Sequence, residues 1–226
     1  MLSSRLKEVL PNIIDPSQAA FIPGRELLYN VLISQDIARG YQRQHITPRC
    51  LLKIDLQKAF DSVHWGFIED MLTGLNFPPT FVHWIMHCIT SVQFNVHING
   101  LDYEGFHGGR GLKQGDPLSP LLFVITLEYL SRLLKKTSQS PHFKFHPNCK
   151  HIQLTHLCFA DDLILFSKAD PTTLQSMMDA LTEFEQAAGL RANLNKSQMV
   201  FGGTDTELQQ ICLQTVGLKI SSLPLQ

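Results

Sequence analysis

The segment LCFADDLILF, residues 157–166, places the adjacent carboxylates of Asp161 and Asp162 in the middle of an apolar, strand-forming run. A continuous strand would send neighbouring side chains to opposite faces and bury one of the two acids in the core. The pair is easier to place at a tight turn between two strands, where Asp tolerates unusual backbone angles. Adjacent acids repel each other unless a cation neutralises them, and their hard oxygen ligands suit Mg²⁺. The segment therefore predicts a strand-turn-strand unit with a divalent-metal site, and a plain solvated turn is the alternative.

The bulk composition is that of an ordinary globular chain, because 44% of its 226 residues are hydrophobic and 17% are charged. The 19 Lys and Arg residues against 20 Asp and Glu leave a net charge of −1, so a case for nucleic-acid binding must rest on local sites. The first residues lack the apolar core of a signal peptide, and no later run is long enough for a membrane span. We therefore expect an intracellular protein, in the nucleus or the cytoplasm.

The five cysteines form no Cys-x-x-Cys pair, which favours reduced thiols in the core. Four residues of the types that bind zinc do crowd together, namely Cys149, His151, His156 and Cys158. Their spacing matches no familiar zinc site, and the last two fall on the strand that enters Asp161. The sequence therefore argues against a zinc site here.

Periodicity and turn signals predict a mixed α+β layout with a short antiparallel sheet. The predicted helices cover residues 3–10, 26–41, 65–75, 79–90, 117–134 and 171–188. The predicted strands cover residues 50–55 and 198–201 and the two segments around Asp161; a further hairpin turns at residues 99–100, and a glycine-rich loop spans 105–115. Pro11 is expected to stop the first helix, Asp116 to cap the long apolar helix and Gly189 to end the last one.

Three further segments place polar residues beside apolar elements: LKIDLQKAFDSVHW at 52–65, GLKQGDPLSP at 111–120 and AGLRANLNKS at 188–197. Asp55 ends an apolar strand, so it is either a helix cap or a partner of Asp161 across the sheet in a metal cluster. The second segment runs into a helix N-terminus, where backbone N–H groups favour an anion or a base edge. Taken alone, the second and third segments also fit a capped helix and a solvated turn.

In this order, the four segments resemble motifs A, B, C and D of the reverse transcriptase of non-LTR (LINE-type) retrotransposons, especially the plant-type elements. The matching residues are Asp55 with KAFD at 58–61 and Trp65, GLKQGDPLSP at 111–120, FADD at 159–162, and Gly189-Leu190 with NKS at 195–197. The upstream QAAFIPGR at 18–25 is similar to a fingers segment of these enzymes. The resemblance covers nearly the whole chain. It implies a right-hand polymerase palm, with an antiparallel sheet and packed helices, and partial fingers.

The resemblance implies an RNA-directed DNA polymerase, which transfers a nucleotide from a dNTP to the 3′-hydroxyl of a DNA primer on an RNA template. Asp55, Asp161 and Asp162 would form an acidic triad around two Mg²⁺ ions, for which Mn²⁺ can substitute. Asp55 and Asp161 would be the principal ligands. Lys196 would protonate the pyrophosphate leaving group.

The remaining implied roles are contacts with substrate. Phe60 would be a steric gate whose ring excludes a ribose 2′-hydroxyl, although a plain core aromatic is the alternative at this position. Gln114 and Gly115 would line the incoming nucleotide and the template. Arg25 would touch the template strand or the triphosphate.

The resemblance also indicates a fragment, with residues 1–50 as part of the fingers and residues 51–226 mainly as palm. The rest of the fingers, the primer grip, the thumb and an endonuclease would belong to the remainder of a retrotransposon polyprotein. Two other hypotheses stay open. One is an inactive retroelement fragment that binds nucleic acid weakly. The other is an RNA-directed RNA polymerase, against which Phe60 and the Gln114-Gly115 pair argue.

Overall fold

The fold consists of one main sheet, a separate hairpin and the helices that pack on them. The structure is a computed structural model that describes residues 1–43 and 45–223, with the backbone alone at 102 and 104. The helices are α1 Leu2–Ile13, α2 Leu27–Ala38, α3 Ala59–Ser62, α4 Trp65–Gly74, α5 Pro79–Thr90, α6 Ser119–Ser138, α7 Pro171–Ala188 and α8 Thr206–Val216. The strands are β1 Arg49–Asp55, β2 Gln93–Ile98, β3 Leu101–His107, β4 His156–Phe159, β5 Asp162–Lys168, β6 Gln198–Gly202 and β7 Lys219–Ile220.

The main sheet has five strands in the order β4-β5-β1-β6-β7, and β2 pairs with β3 in the hairpin. β1 lies at the centre of the sheet and pairs antiparallel with both β5 and β6, while the short β7 pairs parallel with β6. This arrangement confirms the predicted α+β layout, with the hairpin turning at residues 99–100 as expected.

The central strand is covered on both faces. Ile54 points into the main hydrophobic core, which α6 and α7 complete. On the opposite face, Leu51 lies between Phe166 and Val200 in a second cluster that includes residues of α2. Burial on both faces accounts for the apolar residues Cys50, Leu51 and Leu52 in succession, whereas Lys53 is only partly buried. The strand ends at Asp55, which lies near the surface with its side chain only partly buried.

The first helix is longer than predicted, because α1 continues through Pro11 to its end two residues later. Leu6 and Leu10 are fully buried, so the packing of this face against the core supports the helix beyond the proline. The guanidinium of Arg25 also donates a hydrogen bond of 3.1 Å to the carbonyl oxygen of Pro11. The expectation that Pro11 stops the helix is therefore wrong.

The long apolar helix begins later than predicted, because α6 starts at Ser119. The carboxylate of Asp116 accepts a hydrogen bond of 2.7 Å from the N–H of Leu118, which lies in the turn before the helix. Asp116 therefore stabilises the approach to α6 and does not cap it. The glycine-rich loop is also shorter than expected, since Gly105 belongs to β3.

Among the described residues, no helix combines the length and the apolar composition that a bilayer-crossing segment requires. Residues 224–226, where the resemblance expects the palm to break off, lie outside the described part of the chain.

Candidate active site

The predicted strand-turn-strand unit is confirmed by β4 and β5, which are joined by Ala160 and Asp161. Ala160 adopts a left-handed conformation with φ +58°, which closes the chain sharply at this point. Asp162 opens β5 and lies directly opposite Asp55 in the register of β1 and β5. The sheet therefore brings together Asp55 and Asp162, which are more than a hundred residues apart in sequence.

A cleft of about 550 Å³ opens beside this end of the sheet, and we call it the active cleft. It is lined by five of the residues predicted to form the site, namely Asp55, Phe60, Gln114, Asp161 and Lys196. The cleft thus gathers side chains from all four sequence segments. Gln57, Lys58 and Asn193 also line it; they lie within those segments, so the motifs themselves could have pointed to them.

Asp162 does not line the active cleft with the other two acids. Its carboxylate lies 3.7 Å from the ammonium nitrogen of Lys53, and about half of the Asp162 side chain is exposed. A solvated pair of this kind contributes at most about 1 kcal/mol. Within the described residues, no three His, Cys, Asp or Glu side chains are grouped closely enough for a metal site. Asp55 and Asp161 therefore share the cleft, while the third acid is held beside it.

Phe60 lies in the short helix α3. This helix begins directly after Lys58, whose backbone is left-handed. The Phe60 ring stacks on Phe123 of α6 with 4.7 Å between ring centroids, and Phe123 is fully buried. Phe60 is itself partly exposed and lines the active cleft. The ring is therefore both anchored to the core and presented to the cleft, so the two interpretations of this residue are compatible.

The glycine-rich segment is bonded directly to the motif that carries Phe60. The N–H of Leu112 donates to the carbonyl oxygen of Phe60 at 2.7 Å, and the indole N–H of Trp65 donates to the carbonyl oxygen of Gly111 at 2.7 Å. Gly111 has φ +88°, and a Cβ there would lie 2.7 Å from the Asp61 carbonyl oxygen, so only glycine fits. These contacts bring the following residues, including Gln114, to the cleft.

Gly115 also has a left-handed backbone, with φ +88°, but it does not appear among the residues that line the active cleft. Its place in the turn before α6 accounts for the glycine, since L side chains rarely adopt this conformation. The described structure therefore gives Gly115 a role in the turn and gives its neighbour Gln114 the contact with the cleft.

The last segment is bonded to the end of β1. The N–H of Asn193 donates to the carbonyl oxygen of Asp55 at 2.7 Å, and the N–H of Asp55 donates to the hydroxyl of Ser197 at 3.1 Å. The N–H of Gln57 donates to the carbonyl oxygen of Arg191 at 2.8 Å. This backbone pairing holds the segment against Asp55 and so brings its lysine, residue 196, to the active cleft.

Arg25 lies away from the active cleft, and its guanidinium is used within its own part of the chain. It donates to four carbonyl oxygens, those of Pro11, Ile14, Asp15 and Gln18, at 2.6–3.1 Å. Partial burial lowers its pKa from the ordinary value. These contacts support a structural role that ties the segment 15–25 to the end of α1, and they give no support to the predicted contact with template or triphosphate.

A buried polar network lies at β4, around His156, a residue that the sequence indicates only as part of a rejected zinc site. The His156 cluster joins Nε2 to the hydroxyls of Ser17 at 2.8 Å and Ser131 at 2.9 Å, and Nδ1 to the hydroxyl of Thr155 at 2.9 Å. All four residues are buried. Burial lowers the pKa of His156 to about 4, so the ring is neutral at pH 7. Both ring nitrogens of His156 are thus engaged by hydroxyl groups and are not free to bind a metal ion.

Comparison with known proteins identifies the family to which this chain belongs. The family described as "Reverse transcriptase (RNA-dependent DNA polymerase)" matches residues 1–220. The chain therefore belongs to the reverse transcriptase family. The telomerase from Candida tropicalis in complex with the TWJ fragment of telomeric RNA is similar in structure, with a TM-score of 0.62 at 14% identity. The similarity covers 89% of this chain and 32% of the telomerase chain, and it confirms the predicted polymerase fold.

Two curated relatives are each 30% identical to this chain. The transposon TX1 149 kDa protein of Xenopus laevis matches over 203 residues, 90% of this chain and 15% of the relative. The Pol polyprotein of the retrotransposable element R2DM of Drosophila melanogaster matches over 182 residues, 80% of this chain and 16% of the relative. These relatives confirm the predicted membership of this chain in the reverse transcriptases of non-LTR retrotransposons, while the plant-type subdivision stays a prediction. The chain thus spans less than a fifth of the length of either relative.

Proposed function

We propose that this chain is the RNA-directed DNA polymerase core of a non-LTR retrotransposon and transfers a nucleotide from a dNTP to a primer 3′-hydroxyl. The observation that carries the proposal is the active cleft, in which Asp55 and Asp161 from two motifs meet Phe60, Gln114 and Lys196. The family and its retrotransposon relatives support the same reaction. RNA template, DNA primer and dNTP are the partners that this activity requires.

The donor set of the active cleft fits Mg²⁺, because its described lining residues offer carboxylate oxygens and no thiol or imidazole. Among the described residues, the carboxylates of Asp55 and Asp161 have no hydrogen bond or ion pair, so both are available to a cation. Asp162 would complete the set after leaving Lys53. When bound, two such ions would lower the pKa of the primer 3′-hydroxyl and neutralise the charge that develops on the triphosphate.

Phe60 would select the sugar of the incoming nucleotide. Its ring is fixed on Phe123 and cannot move away without losing that contact, so a ribose 2′-hydroxyl would collide with it. Gln114, on the glycine-rich segment of the cleft, would line the nucleotide and the template, with Gly115 in the turn next to it. This arrangement favours deoxynucleotides.

Lys196 would donate a proton to the pyrophosphate leaving group. The segment that carries it is held by main-chain hydrogen bonds to the end of β1, which gives its side chain a defined approach to the cleft. An ammonium group is a proton donor and also a positive charge, and both properties stabilise a departing phosphate.

A second candidate function is an inactive fragment that binds nucleic acid weakly. The observation that favours it is the position of Asp162, which is paired with Lys53 and leaves the three acids ungrouped. The two candidates differ in whether nucleotide addition occurs at all.

The deciding experiment is primer extension on an RNA template with dNTPs and Mg²⁺. We expect extension by the unaltered chain and a loss of roughly 10³-fold in Asp161→Ala, since the variant lacks a carboxylate that would hold the charge-stabilising Mg²⁺ ions. Asp70→Ala is the matched control, because Asp70 is an exposed acid on α4, outside the active cleft. The absence of any product that depends on Asp161 would establish the inactive candidate for this chain.

A further inference from the structure

A second cleft adjoins the active cleft. It has a volume of about 780 Å³, and Gln57 and Lys58 line both clefts. Its other walls are the C-terminal half of α7, the segment 189–194 and Arg110 in the loop after β3. We call it the basic groove, because its lining includes the side chains of Lys58, Arg110 and Arg191.

Among the described residues that line the basic groove, three exposed cations outnumber a single acid, Glu185. Among the described residues, none of the three cations forms an ion pair. The carboxylate of Glu185 accepts a hydrogen bond from the N–H of Ala192. At the end of α7, the carbonyl oxygen of Ala188 accepts one from the N–H of His64 at 2.9 Å. The groove therefore has net positive charge facing open space, which favours an anion.

The walls of the basic groove are fixed by backbone contacts. The hydrogen bond from Gln57 N–H to the Arg191 carbonyl oxygen joins two walls at 2.8 Å. Gly189, with φ +78°, lies so close to the ring of His64 that a Cβ would be only 2.4 Å from it. A site with pre-positioned walls loses little entropy when it binds its ligand.

The chemistry of the lining selects among anions. The described residues that line the basic groove include no Phe, Tyr or Trp, and their single aromatic ring, the imidazole of His64, packs against Gly189, so the groove offers nucleic-acid bases little surface on which to stack. A compact polyphosphate needs no such surface and can accept charge-assisted hydrogen bonds from all three cations. The groove also shares its wall at Lys58 with the cleft in which, on the proposed function, pyrophosphate is released.

We propose that the basic groove binds inorganic pyrophosphate and receives this leaving group from the active cleft. The inference rests on the proposed function for the source of the pyrophosphate, but the binding itself requires only the three cations. Lys58 lines both clefts, and Arg110 and Arg191 supply the positive charges that attract the anion into the basic groove.

The test is isothermal titration calorimetry of the chain with sodium pyrophosphate in EDTA, which prevents divalent ions from bridging the anion to the acids. The double variant Arg110→Gln/Arg191→Gln is expected to bind about tenfold more weakly, since two charge-assisted contacts are lost. Lys135→Gln/Lys136→Gln is the matched control, because it removes two exposed positive charges from the last turn of α6, outside the groove. It should bind pyrophosphate like the unaltered chain.

Three results would overturn the inference. One is the absence of pyrophosphate binding by the unaltered chain, and the second is an equal loss of affinity in the two double variants. The third is tighter binding of a dNTP than of pyrophosphate, with the same dependence on Arg110 and Arg191, because the groove would then belong to the incoming nucleotide. Circular dichroism of each variant verifies that it is folded.

The Asp161→Ala variant separates this inference from the proposed function. It should lose primer extension and keep the metal-free binding of pyrophosphate, because Asp161 does not line the basic groove. Primer extension by a chain whose pyrophosphate binding does not depend on the groove would contradict the inference and leave the proposed polymerase function unaffected. If pyrophosphate binding depends on Arg110 and Arg191 but neither the unaltered chain nor a variant extends a primer, the groove is an anion site. Its assignment to the product of the polymerase reaction would then be wrong.

Discussion

The His156 cluster and the active cleft are both polar sites at the ends of sheet strands, and they differ in where their hydrogen bonds go. Both nitrogens of His156 are bonded to buried hydroxyls, those of Ser17, Ser131 and Thr155. In the active cleft, the carboxylates of Asp55 and Asp161 have no hydrogen bond or ion pair among the described residues. A polar group bonded on every side stabilises the fold, whereas one held at a cleft without a partner is available to a ligand.

The backbone of the active cleft is nevertheless well bonded. The segments that carry Asp55, Phe60 and Lys196 are tied together by main-chain hydrogen bonds of 2.7–2.9 Å. The cleft thus combines a bonded backbone with two carboxylates that have no hydrogen bond or ion pair among the described residues, an arrangement suited to binding a cation. We therefore expect substitutions in the two regions to have opposite effects on stability and on activity.

The largest effect on stability is expected from His156→Ala. Removal of the ring leaves a cavity and buried hydroxyls without their partner, so the free energy of unfolding should fall by about 3 kcal/mol. Chemical denaturation at pH 7 measures this change. The rate of primer extension per folded molecule should stay the same. A variant that lost activity at unchanged stability would place His156 in the reaction and end the contrast between the two regions.

The next effect is on sugar selection in the active cleft. Phe60→Val removes the ring that stands against the 2′-hydroxyl, so discrimination between dNTP and rNTP should fall by about 10²-fold, or roughly 2.7 kcal/mol. Steady-state kinetics with each nucleotide measures the ratio of kcat/KM values. Phe143→Val is the control, because this partly buried ring lies in the loop after α6. An unaltered ratio in Phe60→Val would leave Phe60 as a core aromatic alone.

The dependence of stability on pH reports the burial of two histidines, His156 and His146. Burial lowers the pKa of both His156 and His146 to about 4, below the unfolded value of about 6.5. The unfolded chain therefore binds protons that the folded chain does not, and stability falls as pH decreases from about 6.5 to 4. Each histidine contributes up to about 1.4 kcal/mol per pH unit. His146→Gln should reduce the slope, and His151→Gln should not, since His151 is exposed.

The frame of the fold was largely predictable from sequence, since β1, β5, α4, α5 and α7 follow apolar patterns bounded by turn residues. α8 was missed, although Asp205 caps it through a bond from the N–H of Leu208 and Gly217 ends it. These two signals for the start and end of α8 depend on single residues, which also occur in ordinary turns. The strand register adds a detail that the motifs do not state: Asp55 lies directly opposite Asp162, whereas Asp161, in the turn, shares the active cleft with Asp55. The register of two strands is decided by packing across the whole sheet.

The role of Arg25 shows the other limit of sequence reasoning. An arginine in a loop that resembles a fingers segment suggests a contact with nucleic acid, yet its guanidinium is surrounded by four main-chain carbonyls. Nothing in the order of residues states where those carbonyls will point. Side chains whose partners are main-chain atoms distant in sequence become interpretable only after the chain is folded.

The most direct test of the central claim, that unpartnered carboxylates make the active cleft a cation site, is thermal unfolding with and without Mg²⁺. At a concentration about ten times its Kd, the ion should raise the Tm of the unaltered chain by about 3 °C. The Asp55→Asn/Asp161→Asn variant should show no shift and be at least as stable as the unaltered chain in EDTA, because mutual repulsion is removed. An equal shift in both proteins, or no shift in either, would contradict the claim.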